Sequence, residues 1–123
     1  MRLRALLVLT LAAVALPPVA TAGADDASVR AAADSRDAQF NRVVTQIRRA
    51  YRAWDASGFR SRRLARRIIR LNRRARLIVD AVDAAVHAEQ PSSSAGEKFK
   101  RLILASNRIG DVGLRWDSRA VRR

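Results

Sequence analysis

Leu64 to Ala85 reads LARRIIRLNRRARLIVDAVDAA, and within it Leu64, Ile68, Leu71, Ala75, Ile78, Val82 and Ala85 recur at 4-3-4-3-4-3 spacing. Three heptads of that rhythm set one apolar seam along an α-helix; a strand would alternate its faces every second residue instead. Ala65, Val79 and Val86 broaden the seam on one flank, and the small Ala75 and Ala85 thin it. Asn72 stands at its edge, where a hydrogen bond to a partner helix would fix register. Ser61 is placed to cap the start and Pro91 to stop the end, so a helix is predicted over about 61–89.

The rhythm continues on both sides of this segment. Upstream of Ser57-Gly58, Phe40, Val44, Ile47, Tyr51 and Trp54 are spaced 4-3-4-3, flanked by Val43 and Ala50. A helix over about 27–56 follows, with Asp25 or Asp26 as its cap and a loosely packed start, because Arg30 and Asp37 interrupt the seam there. Downstream of Pro91-Ser92-Ser93-Ser94, the run Ser94-Ala95-Gly96-Glu97 has the form of a capping box. Phe99, Leu102, Ile103, Ile109 and Trp116 then carry a third stripe, over about 95–116. Gly110 and Gly113 weaken it, each costing about 0.8–1.0 kcal/mol against Ala, so a firm helix is expected only to about Asn107 and a mobile basic tail at 120–123. Short connections favour antiparallel neighbours, and the fold class expected is all-α: an up-down-up three-helix bundle. Trp54 and Trp116, near helix ends, are expected to close its core.

Residues 1–22 have a different character. Arg2 and Arg4 precede the run Ala5 to Leu16, apolar except for Thr10; Pro17-Pro18 break it, and Ala20-Thr21-Ala22 offers small-x-small cleavage. This is the pattern of a secretory signal peptide, and the apolar run, about 18 Å long as a helix, falls short of a bilayer's roughly 30 Å core. The expectation is therefore an exported protein, periplasmic or extracellular, with a single helical domain over 23–123. Its charge falls from +14 to +12 once Arg2 and Arg4 are removed. No cysteine is present, which excludes disulfides and a lipidated cysteine and leaves stability to packing.

From Phe59 to Arg76 there are nine arginines in eighteen residues and no acid. On the heptad of the central helix they fall away from the apolar positions, and Arg62, Arg63, Arg66, Arg67, Arg70, Arg73 and Arg74 form the candidate anion-binding face. Guanidinium forks match phosphate and carboxylate, and an unbalanced field of this sign draws in polyanions. Outside a cell the candidates are anionic lipid headgroups, a wall polymer or an acidic protein. The alternative is a solvated face serving solubility, partly neutralised by Asp34, Asp37 and Asp55, on a helper protein that binds another protein through apolar helix faces. A homodimer covering leftover apolar residues such as Ile69, Leu77, Leu104 or Leu114 belongs to the same class. Sequence-specific nucleic-acid binding is disfavoured by export and by the lack of a recognition-helix motif.

Catalytic chemistry is not signalled. There is no cysteine nucleophile, no glycine-rich phosphate loop and no Gly-x-Ser-x-Gly elbow, and no cofactor is implied. Asp80, Asp83 and His87 share an outer helix face at helical spacing, but nothing supplies the further ligands that a metal needs, so they read as solvent-exposed polar residues.

Overall fold

The computed structural model describes residues 24–123, which form four α-helices: α1 (Ala24–Asp34), α2 (Asp37–Ala56), α3 (Arg62–Ala88) and α4 (Ser94–Arg122). No strand occurs among the described residues. The signal-peptide segment 1–22 lies outside them. The helix α3 is the axis of the fold, packing against each of the other three, while α1 also packs against α4.

Two apolar clusters hold the helices together. In the larger, Val43, Ile47 and Ala50 of α2 meet Ile68, Leu71, Ala75 and Ile78 of α3 and Leu114 and Val121 of α4, with Phe40, Tyr51 and Trp54 packed against them. The seams expected for the first two helices are thus the surfaces they bury. The smaller cluster joins Val29 of α1, Val86 of α3 and Ile103 of α4.

The expected first helix, 27–56, is two helices. Ser35 ends α1 by turning its hydroxyl onto the Ala32 carbonyl at 2.6 Å, and Arg36 leaves helical geometry at φ −127° and ψ 16°. A serine that bonds the backbone in this way offers the chain an alternative to the helical ladder. The break re-aims α1, so that Val29, fully buried, meets the far end of α3 and the start of α4, and the expected loose start does not occur. Arg30 pairs instead with Asp34 at 4.0 Å on the surface. Asp25 and Asp26, expected before the first helix, lie within α1, which spans Ala24–Asp34.

Ser57-Gly58-Phe59 closes α2 with a Schellman motif. The Gly58 amide donates to the Asp55 carbonyl at 2.8 Å and the Phe59 amide to the Trp54 carbonyl at 2.9 Å. Gly58 and Phe59 both take left-handed backbone, φ 64° and 61°, which a side chain rarely tolerates. Phe59 is held there by its ring, edge-on to Trp54 with centroids 4.9 Å apart. The chain then re-enters at Ser61, whose hydroxyl accepts from the Leu64 amide at 3.3 Å, the expected cap of α3.

Helix α4 departs most from expectation. Its cap is Ser93, not Ser94, with the Ser93 hydroxyl accepting from the Gly96 amide at 3.0 Å; Glu97 therefore falls one residue late for a capping box. The helix runs unbroken through Gly110 and Gly113 to Arg122, with Val121 buried where a mobile tail was expected. It also turns a different face inward. Ile103, Gly110, Leu114 and Val121 are buried, whereas Leu102, Ile109 and Trp116 are 58 %, 74 % and 66 % exposed. Trp116 does not close the core, and Leu114 does.

Candidate functional site

The inner face of α4 includes Asn107, Asp111, Asp117 and Ser118, and each meets a polar partner. Asn107 Nδ2 donates to Asp83 Oδ1 at 2.7 Å, and Arg76 Nε to Asp111 Oδ1 at 2.7 Å. Asn72 Nδ2 donates to Asp117 Oδ2 at 2.6 Å and to Ser118 Oγ at 3.3 Å. At the other end of the same interface Lys100 Nζ donates to the Glu89 and His87 carbonyls at 2.6 and 3.1 Å, putting a cation at the C-terminus of α3, where the helix dipole favours one. Antiparallel helices thus carry a ladder of polar rungs. Hydropathy assigns such residues to solvent, so the stripe it predicts for α4 is rotated from the face that the helix buries.

Asn72 makes the cross-helix bond expected of it and is fully buried. Its Oδ1 has no hydrogen-bond partner among the described residues. Asp117 also accepts from the Tyr51 hydroxyl, so one carboxylate ties α2, α3 and α4 together. Burial, and then the hydrogen bond and the charge of Asp117, push the Tyr51 phenol far above its ordinary value. This cluster has donors and acceptors but no opening to solvent through Asn72, and its chemistry is that of a helix-register lock.

The seven arginines of the candidate site, Arg62, Arg63, Arg66, Arg67, Arg70, Arg73 and Arg74, are all exposed on α3. At about 100° per residue they fall within an arc of about 140°, and the first and last are about 18 Å apart along the axis. Arg76, the next in the series, differs: half-buried, it is bonded to Asp111, which also holds Arg115 Nε at 2.8 Å. None of the seven enters an ion pair among the described residues. None of Asp34, Asp37 and Asp55, from which partial neutralisation is expected, forms an ion pair with them. Asp34 instead serves Arg30, and the Asp37 carboxyl is raised by burial and then by Asp34.

Of the three residues considered for a metal, Asp83 is turned toward α4 rather than outward and is committed to Asn107, while Asp80 and His87 are exposed. No group of three His, Cys, Asp or Glu side chains comes together among the described residues. None of the described helices is long and apolar enough to cross a membrane. No protein-family model matches the chain, and no curated protein and no solved structure is similar to it.

Proposed function

We propose that the protein is an exported, non-enzymatic basic helical bundle that binds an anionic envelope component, whether lipid headgroups, a wall polymer or an acidic protein, through the α3 face built by Arg62, Arg63, Arg66, Arg67, Arg70, Arg73 and Arg74. The observation that carries this reading is that seven exposed guanidiniums share one side of a helix without an acidic partner among the described residues. Guanidinium forks left open in this way are free to take phosphate or carboxylate oxygens from outside. Grouping them in the first half of α3 opposes the helix dipole, an arrangement that an anion laid across it relieves. The signal-peptide pattern of 1–22 supplies the compartment.

The test is retention of the protein on polyphosphate and on phosphatidylglycerol vesicles across a salt series. Retention is expected to fall steeply with salt, as it does wherever bound counterions are released. Reversing Arg63, Arg66, Arg67, Arg70 and Arg74 to Glu is expected to abolish it without loss of helical circular dichroism. Retention that ignores salt, or survives the reversal, would sink the reading. A second reading, a helper protein that binds another protein through apolar helix faces, is favoured by one observation: the exposed Leu102, Ile109, Val112 and Trp116 of α4.

A further inference from the structure

Away from the bundle, α4 carries a second seam. Leu102, Ala105, Ile109, Val112 and Trp116 follow at 3-4-3-4 spacing, all exposed, on the side opposite Ile103, Gly110, Leu114 and Val121. A continuous row of large apolar side chains in water marks a surface meant to be covered. Its two borders differ. On one, Arg101, Arg108 and Arg115 recur every seven residues; on the other, Ser106, Gly113 and Ala120 do the same.

Each candidate occupant makes a different demand on those borders. A bilayer contact suits a broad apolar face within a cationic surround, whereas this seam is two heptad positions wide and one border is small and uncharged. Small residues at that border let a second helix approach closely, as the heptad spacing requires. A second copy of this chain would set the arginine row against itself in an antiparallel pair. In a parallel pair it would face only Ser106, Gly113 and Ala120, and the whole chain carries +14. Asp111 already holds Arg115 at 2.8 Å, whereas Arg101 and Arg108 enter no ion pair among the described residues and lack only negative charge opposite them.

We infer that the outer seam of α4 docks an amphipathic helix of another protein, with apolar residues at heptad spacing and acidic residues along one flank. This rests on the second reading above and not on the α3 arginines. The probes are two synthetic helical peptides with the same leucine heptad seam, one with glutamate and one with lysine along the flanks, added to the full-length protein. The glutamate peptide is expected to shift Trp116 emission to the blue and to bind at least about tenfold more tightly than the lysine peptide. That signal disappears in Trp116→Phe, which retains Trp54. Ile109→Asp, at an exposed site, is expected to weaken binding at least about tenfold. The pair Arg101→Glu and Arg108→Glu is expected to reverse the preference between peptides. Equal binding of both peptides would leave an apolar docking face but overturn the acidic partner. Binding of neither would overturn both, as would a Trp116 shift seen only with phosphatidylglycerol vesicles. Dimerisation of the chain in sedimentation, abolished by Ile109→Asp, would assign the seam to a second copy and overturn the inference.

Discussion

Asp117 is the residue on which three helices converge, and its loss orphans the Tyr51 hydroxyl and one N–H of Asn72, whose other bond goes to Ser118. Each orphaned buried group costs about 1–3 kcal/mol, so Asp117→Ala is expected to lower stability by about 2–4 kcal/mol in urea unfolding. In a Tyr51→Phe background, where one donor is already gone, the same change should cost about 1 kcal/mol less; strict additivity would show that the bonds do not couple. Tyr51 is the only tyrosine, so phenolate absorbance reports on it alone. Its folded pKa lies above the ordinary 10.0, which means that the native chain keeps a proton the unfolded chain releases. The stability this contributes is whole below about pH 10 and declines as pH rises beyond it. Native protein is therefore expected to show no phenolate until it unfolds, whereas in denaturant the group titrates near its ordinary value. A native titration near 10 would contradict the buried bond to Asp117.

Among the elements, α4 separates what periodicity can tell from what it cannot. The choice between Ser93 and Ser94 as its cap is directly measurable: Ser93→Ala is expected to cost about 1 kcal/mol and Ser94→Ala close to nothing. Three serines in a row offer the same chemistry, and it is Ser93, in extended backbone, whose hydroxyl faces the Gly96 amide. The helices α2 and α3 were legible because apart from Asn72 their buried faces are apolar, at Val43, Ile47, Ile68 and Ile78 among others. The face of α4 was not, because Asp117 and Asn107 point inward and Trp116 and Ile109 outward, against their hydropathy. Similarly, the seam of the first helix gave no sign that Ser35 would bond back to Ala32 and free α1 to swing onto Val86. As for the candidate site, the exposure of the seven arginines was readable from their heptad positions. Their lack of acidic neighbours was not, since it depends on where Asp34 and Asp37 come to lie in space.

At the scale of the molecule the dominant fact is uncompensated charge. Seven arginines on one side of α3, in a chain of +14, repel one another in the folded state. Raising ionic strength from about 0.01 to 0.15 M shortens the Debye length from about 30 to 8 Å, and the melting temperature is expected to rise as that repulsion is screened. Arg67→Glu with Arg74→Glu should raise the melting temperature at low salt and flatten its salt dependence; an unchanged dependence would place the repulsion elsewhere. The polar ladder between α3 and α4 has a different consequence, one that concerns the routes the chain does not take. Heptad seams are self-similar, and an antiparallel helix displaced by seven residues still meets apolar with apolar. Slid one way, Asn72 would face Gly110 and Arg76 would face Leu104; slid the other, Arg76 would lose its carboxylate and Asp83 would meet Leu114. Each rung works as an index mark on an otherwise repeating scale. A collapsed chain that misses the marks holds buried charge with nothing to answer it, and so reopens until α4 has found the one alignment that its apolar residues could never have specified.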